Sequence, residues 1–595
     1  MKLLVLLNAA IRTWFTKVQN QLSKKQFLLL SAILVGLSAG LVAVLLKRFV
    51  HIIFDFVTKS HLSDYNWFYL SLPALGILIS LIIIQTVFKG KIKKGVSQVH
   101  YSLAKRSSFM PRRNMIDQFL TSSFTVGFGG STGLEAPIVI TGAAFGSNFA
   151  KTYSLNYKER TLLLSCGIAA GIAAAFNAPI AGVLFALEVL LVDISITSFT
   201  LLILAAATGA LISKILLNEG ILLNFILSEG FNYWNIHYYL LLGILSGIVA
   251  VYHGRIFSKI EQIVTFKFKK LWKRWLFSMF IFALLIGLFP PLFGEGYQSL
   301  KVLASSDSYR IMDGSFMLWF GSNEFIFLLF VGLIVFIKSI AAALTIAGGG
   351  NGGNFAPSLF IGAYLGFFLS KAINYFKIDT ISTTNFMMVG MAGILSGLYH
   401  SPLTAIFLIA EITGGYSLMI PLMLVSSISF VIARYYEPFP MDSKSLIKKG
   451  EAYTTDKDKN VLTSINLSDF VEVNFDKINP EMSLRELVDV VSHSKRNVFP
   501  VIGEDEEFLG LVLLDDIREI MFNTNMYDKS FVKDYMRRPL ARIGVTENMS
   551  EVMKKFDQTG AWILPVLNKD KYIGFAVKTS IFTGYRKKLK EINLS

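Results

Sequence analysis

The stretch GFGGSTGLEAPIVITGAAFG (127–146) has a partner later in the chain, GGNGGNFAPSLFIGAYLG (349–366). At a fixed offset of 220, Gly129, Gly130, Gly133, Ala136, Pro137, Gly142, Ala143 and Gly146 pair with Gly349, Gly350, Gly353, Ala356, Pro357, Gly362, Ala363 and Gly366. A second match follows at an offset of 223, where Gly167, Ala169, Pro179 and Glu188 pair with Gly390, Ala392, Pro402 and Glu411. Two matches in the same order at nearly equal offsets mark an internal duplication.

The duplicated region is too apolar for water. Of 595 residues 53% are hydrophobic and 16% charged, with a mean hydropathy of +0.54, against about 25% charge in ordinary soluble proteins. Residues 161–187, 339–370, 380–410 and 412–433 contain no Asp, Glu, Lys or Arg, and about 20 apolar residues suffice to cross a bilayer. A first span is expected near residues 27–47. Gly and Pro interrupt the apolar stretches, so the spans read as broken helices. Broken helices at membrane depth are tolerated only where they are buried in protein or line a watery path. Duplicated halves of this kind build secondary transporters, with substrate at the repeat interface.

Cations cluster beside the spans: Lys89, Lys91, Lys93 and Lys94; Lys105, Arg106, Arg112 and Arg113; Lys267, Lys269, Lys270, Lys273 and Arg274. The net charge of +16 is therefore read as a topology signal that places these loops and the N-terminus in the cytoplasm, not as a nucleic-acid surface. Leu3–Leu7 is too short for the apolar core of a secretory signal. A single cysteine, Cys166, rules out an internal disulfide framework.

Hydrophobicity falls after about Arg434. The expected organisation is an N-terminal segment (1–26), a membrane domain (27–440, repeats 27–215 and 237–440), a linker (441–465) and a soluble tail (466–595). The tail repeats too: VFPVIGEDEEFLGLVLLDDI (498–517) is similar to ILPVLNKDKYIGFAVKTSI (563–581). Each copy (466–527 and 530–590) reads as helix, strand, turn, strand, helix, and the pair resembles tandem cystathionine-β-synthase (CBS) modules. The fold class is thus an all-α polytopic membrane domain followed by an α/β tail.

The chemistry lies where the repeats break. In Gly353-Asn354-Phe355-Ala356-Pro357, glycine permits close backbone approach and proline suits a first helical turn. A helix start presents unpaired N–H groups and a positive dipole end, an anion site without a full charge. The same holds for Gly133-Leu134-Glu135-Ala136-Pro137. Close helix packing alone would explain the glycines but not Glu135, a carboxylate in an uncharged intramembrane stretch. At a helix start Glu135 is either a plain cap or a tethered anion that occupies the site until protonation or a competing anion displaces it.

Those two segments resemble the motifs of the ClC chloride channels and chloride–proton antiporters: Gly-Arg/Lys-Glu-Gly-Pro, whose glutamate is the gate, and Gly-x-Phe-x-Pro, whose amides hold the anion. Ala173 to Gly182 and Glu411 to Tyr416, with Pro421-Leu422-Met423, match further family signatures. The resemblance implies two antiparallel repeats, a homodimer in lipid, and one anion pathway per subunit. It implies Glu135 as gate and Gly133, Leu134, Gly353, Asn354 and Phe355 as anion-binding positions, with chloride or another small anion as substrate. Three departures stand out. The family's serine motif aligns loosely with Lys93 to Ser97, leaving Lys94 or Ser97 beside the anion. Asp442 stands at the position of the inner tyrosine, where pairing with Lys94 or Lys444 would relieve its charge, or Phe439 would fill the space. Val189 replaces the inner proton-transfer glutamate that follows the position of Glu188. Gated passive conduction is therefore expected, with proton antiport as the alternative. Glu188 and Glu411 are read as capping or inter-helix groups, Glu188 alternatively as a proton relay.

In the tail, Asp516 is the candidate for a nucleotide ribose, but Ser580 replaces it in the second copy. Leu513 and Val577 stand where a Ser/Thr is usual, so a structural tail is expected rather than an adenosine-nucleotide sensor. The histidines show no metal-ligand spacing, and His400 is read as packed. No P-loop is present to drive a pump, and no nucleophile–base constellation suggests an enzyme. The expected location is the inner (plasma) membrane of a bacterium, with N-terminus and tail cytoplasmic.

Overall fold

A computed structural model describes residues 21–58, 67–90, 95–189, 196–217, 230–305, 307–321, 323–448 and 466–594. It divides into two units, residues 1–452 and 453–595. Lys94 lies outside the described residues.

The first unit is helical. Helices α1 (Lys24–Thr58), α2 (Trp67–Thr86), α3 (Ser97–Lys105), α4 (Asp117–Gly127), α5 (Glu135–Thr152), α6 (Tyr157–Phe176), α7 (Pro179–Glu188) and α8 (Ile196–Leu217) form its first half. The second half holds α9 (Ile236–Lys267), α10 (Leu271–Leu288), α11 (Tyr297–Leu303), α12 (Glu324–Ala347), α13 (Phe355–Tyr375), α14 (Thr383–Tyr399), α15 (Pro402–Ile412) and α16 (Met419–Tyr436). Among the described residues nine helical stretches are long and apolar enough to cross a membrane, from 18 to 35 residues. The first of them runs well past the expected 27–47.

Lengths vary because glycine, proline and polar caps cut the helices at fixed places. Pro179 and Pro402 open α7 and α15 in the first turn. Asn177 and His400, which precede them, both end a helix in the left-handed conformation, at φ 53° and 56°. Equivalent positions of the two halves thus share one backbone bend.

The duplication is visible in packing. A Cβ on Gly142 would stand 2.3 Å from the Gly167 carbonyl oxygen, and one on Gly362 2.3 Å from that of Gly390. The α5/α6 and α13/α14 crossings therefore bring backbone against backbone at matching positions, as small residues allow in membranes. Beyond its charged first turn, helix α6 is apolar or small all round and almost wholly buried, as a helix segment without a polar face must be.

Of the linker expected over 441–465, residues Met441–Lys448 form a helix, α17. Met441 packs against the membrane core and Ser443 is buried, so this segment belongs with the first unit. Residues 449–465 lie outside the described residues.

The tail has the expected paired pattern. In the first copy α18 (Leu484–His493) leads to the hairpin β2 (Val498–Ile502)–β3 (Phe508–Leu513) and α19 (Leu514–Ile517). In the second, after α20 (Val532–Tyr535), α21 (Met549–Thr559) leads to β5 (Ile563–Asn568)–β6 (Lys571–Val577) and α22 (Lys578–Leu594). The copies are not independent. β1 (Val471–Glu472), at the start of the first copy, pairs antiparallel with β6 of the second, whose sheet runs β1-β6-β5-β4 with β4 (Ile543–Gly544) parallel to β5.

Candidate functional site

The two glycine loops meet. Gly133 N–H donates to the Gly353 carbonyl and Gly353 N–H to that of Gly133, both at 2.9 Å. Thr132 Oγ1 adds a bond to the same Gly353 oxygen at 2.9 Å. The loops are braced from beneath by polar side chains. Ser131 N–H donates to Thr345 Oγ1 at 3.2 Å and Asn351 N–H to Thr125 Oγ1 at 3.0 Å. Asn351 Nδ2 reaches Gln118 Oε1 and Thr121 Oγ1 at 3.0 and 2.7 Å. These bonds satisfy loop groups that lie far from water, as buried polar groups require.

Helices α5 and α13 therefore begin side by side. Leu134 and Asn354 are their N-caps, and neither side chain caps its helix. Asn354 Nδ2 turns instead to Met441 Sδ, 3.6 Å away. Two positive helix ends, neither capped by its own N-cap side chain, converge in an apolar setting, which is the requirement for holding a dehydrated anion.

Glu135 fills that place. It is 5% exposed, and its carboxylate faces its own amide and the amide of Ala356 from the other repeat. A Cβ on Gly133 would stand 2.0 Å from Glu135 Oε2 and 2.8 Å from the Ala356 Cβ, so the carboxylate lies over the loop junction. Tyr297 donates its hydroxyl to Glu135 Oε1 at 3.0 Å. Leu134 N–H, one of the expected anion ligands, is taken by Glu295 Oε1 at 3.2 Å.

On the other flank Phe355 is framed by aromatic rings, with centroids 5.5 Å from Phe176, 6.0 Å from Phe185 and 5.7 Å from Tyr399. Phe176 and Tyr399 are equivalent in the two repeats, at the offset of 223. Tyr399 faces both Glu135 and Asp442, so a tyrosine from α14 stands near Asp442. The relief expected for Asp442 from Lys444 does not occur: Lys444 pairs with Glu437. Phe439 lines a small cleft with His400 and Met441. Ser97 opens α3, which packs against α5 and α17.

Glu188 and Glu411 cross between the halves. Glu188 accepts from Leu403 N–H (3.1 Å), Thr404 N–H (2.7 Å) and Thr404 Oγ1 (2.7 Å). Glu411 accepts from Ile180 N–H (3.1 Å) and Ala181 N–H (2.9 Å). Each carboxylate ends its own short helix and caps the start of the equivalent helix in the other repeat. Val189 is buried and follows as the C-cap of α7.

Sequence reading missed Glu295, Tyr297, Lys338 and Lys47. Lys338 is fully buried and donates to the Gly294 carbonyl at 3.1 Å. Lys47 Nζ donates to the Ala175 carbonyl at 3.0 Å and faces both Glu135 and Glu295. The signal was present: charges inside apolar segments are functional candidates.

The voltage gated chloride channel family model matches residues 75–434, and CBS domain models match 467–523 and 532–584. The chain belongs to the voltage gated chloride channel family. It is 24% identical to the H(+)/Cl(−) exchange transporter ClcA of Vibrio cholerae, over 70% of this chain and 88% of that one. It is likewise 24% identical to chloride channel protein CLC-e of Arabidopsis thaliana, over 84% of this chain and 77% of that one. Its fold is similar to that of a slow cyanobacterial Cl−/H+ antiporter, with a TM-score of 0.61 and 20% identity, covering 72% of this chain and 98% of that one. The chain is a multi-pass membrane protein with a CBS pair, as the motifs led one to expect.

In the tail, Asp516 is spoken for. It accepts from Arg537 Nε at 2.5 Å and from Leu513 N–H at 3.3 Å. Ser580 Oγ, at the matching place, donates to Glu472 Oε1 at 2.6 Å. Both side chains are thus engaged within the tail.

Proposed function

We propose that this CLC protein conducts chloride or another small anion through the membrane as a gated passive pathway, with Glu135 as the gate. The observation that carries the reading is the meeting of two helix starts, neither capped by its own N-cap side chain, with one carboxylate held between them. A permeating anion would take the carboxylate's place against the amides at Glu135, Phe355 and Ala356, with Gly133, Leu134, Gly353 and Asn354 shaping the site. Anions held by oriented amides and no full charge can leave again, which conduction needs. Ser97 and Asp442 would flank the path at its other end.

Passive conduction is favoured over antiport because Val189 offers no titratable group after Glu188, whose own carboxylate is engaged as a cap. The exchange activity in the name of the Vibrio relative supports the second reading, proton-coupled antiport through Glu135. Homodimerisation in the plasma membrane, with N-terminus and tail cytoplasmic, belongs to the same proposal, supported by the family likeness and the cationic loops. The tail is read as structural.

Liposomes loaded with chloride and containing the full chain test this. Passive anion efflux without proton uptake is expected, and stoichiometric proton uptake would overturn the channel reading. In Glu135→Gln the flux should lose its pH dependence; retention of it would remove Glu135 as gate.

A further inference from the structure

The bonds beneath the two glycine loops follow the duplication only in part. At the offset of 220 Ser131 matches Asn351 and Thr125 matches Thr345, and each loop amide donates to the threonine of the other repeat, Ser131 N–H to Thr345 Oγ1 and Asn351 N–H to Thr125 Oγ1. The side chains break the symmetry. Asn351 Nδ2 crosses to α4 and donates to Gln118 Oε1 and Thr121 Oγ1, whereas Lys338, which matches Gln118, donates to the Gly294 carbonyl. Asn351, Gln118 and Thr121 are fully buried. The contact has one sense: Thr121 gives its own proton to the Asp117 carbonyl at 2.6 Å, so its hydroxyl can only accept and a nitrogen must face it. Ser80 of α2 secures the acceptors, donating to the Thr121 carbonyl at 2.7 Å and lying 3.0 Å from Thr125 Oγ1. In Gly349-Gly350-Asn351-Gly352-Gly353-Asn354 two residues carry side chains. Asn354 turns to Met441, so Asn351 is the handle by which the first repeat holds this loop.

We propose that Asn351 is a positioning residue for the anion site: its amide, clamped by Gln118 and Thr121 of the other repeat, fixes the glycine loop that aims the Phe355 and Ala356 amides, and so sets how strictly the path discriminates between anions. This rests on the reading of the two helix starts as the anion site. The cause is mechanical. Glycine has the freest backbone of any residue, so amides on an untied glycine loop can follow anions of different radius. Tied through Asn351, the same amides keep one spacing. An anion that matches it meets dipoles already oriented, with no reorganisation to make. A larger one must strain the clamp or give up bonds. Cavity size and dipole field are the sources of such selectivity, and both depend on the groups that support the ligating atoms. Because Gln118 and Thr121 belong to α4, the first repeat imposes the spacing on the second. A clamp that only held the fold together would raise the unfolding midpoint and leave the relative rates of different anions unaffected.

The test is the flux of chloride, bromide, nitrate and thiocyanate from liposomes carrying the full chain, read as rates relative to chloride. Thr121→Val keeps the shape and removes one acceptor, Gln118→Met removes the other, and Asn351→Ala removes both bonds. The spread of relative rates should narrow about twofold to tenfold, as the loss of one or two net hydrogen bonds allows, and most in Asn351→Ala. In the Asn351→Ala background neither acceptor variant should narrow it further, since both act through Asn351. Unchanged relative rates in all three single variants overturn this inference and leave the anion path standing, whatever happens to the unfolding midpoint. A change in Asn351→Ala with neither acceptor variant moved also overturns it, because the clamp would not be the cause, and so do acceptor effects that persist in the Asn351→Ala background. If Asn351→Ala does not assemble, Thr121→Val and Gln118→Met decide: unmoved rates overturn the proposal. An unaltered chain that passes the four anions at equal rates overturns it as well. One that passes none of them overturns the anion-path reading itself.

Discussion

Gly133 and Gly353 exchange two backbone hydrogen bonds of 2.9 Å across 220 residues of chain, and the Glu135 carboxylate lies over that junction. There is no room for a side chain there. In Gly133→Ala the new Cβ would fall 2.0 Å from Glu135 Oε2, so the carboxylate must leave its place. Flux of this variant at high pH should rise toward that of Glu135→Gln, with a flatter pH profile. Gly353→Ala meets the Ala136 Cβ at 2.7 Å instead. It should cost about 1–3 kcal/mol as an overpacked core does, read as a lower unfolding midpoint in detergent.

Tyr297 donates its hydroxyl to the Glu135 carboxylate. A hydrogen bond to a charged group contributes about 1.5–3 kcal/mol. Tyr297→Phe keeps the ring and removes the donor, so the gate should leave its seat about tenfold or more readily. Chloride flux at high pH should increase accordingly while the unfolding midpoint moves little. Unchanged flux would show that the hydroxyl does not hold the gate shut.

The reciprocal caps make a prediction about stability. Glu188→Ala leaves Leu403 N–H, Thr404 N–H and the Thr404 hydroxyl without their acceptor; Glu411→Ala does the same to Ile180 and Ala181. Each loss should cost about 1–3 kcal/mol, since donors left without a partner are expensive. Glu188→Gln retains one acceptor oxygen and should cost less. If Glu188 were a proton relay, Glu188→Gln would change proton movement during chloride flux; none is expected.

Why the sequence revealed half of this site and hid the rest has a physical cause. Gly133, Gly353, Pro137 and Pro357 serve backbone approach and helix starts, functions only a few residue types can perform, so duplication preserved them at a readable offset. Glu135 was legible because a carboxylate among apolar residues is costly. Glu295 and Tyr297 act from a loop outside the repeated motifs, and nothing local says that Gly294-Glu295-Gly296-Tyr297 folds back onto residue 134. Lys338 stands one residue before the uncharged stretch 339–370 and looks like a span-end cation, yet it is buried beneath Phe360. In the tail, helix and strand order was readable from alternation and turns. The crossing of β1 to the second copy was not, because two residues carry too little pattern.

The last prediction concerns that tail. Arg537 reaches back to Asp516 with a hydrogen bond and an ion pair, and the bond from Leu513 N–H makes the carboxylate a local cap. In the second copy Ser580 is bound to Glu472, which also pairs with Arg496 at 2.9 Å. Apolar Leu513 and Val577 stand at the remaining polar positions, so ribose and phosphate find few partners, and ligand sites need such convergent polar groups. Calorimetry of the full chain with ATP, ADP and AMP should show no saturable heat. Arg537→Ala frees the Asp516 carboxylate but restores neither hydroxyl, so it too should stay silent. A saturable isotherm in the unaltered chain would mean that the tail senses nucleotide. One that appears only in Arg537→Ala would identify the arginine as the group that closes the site.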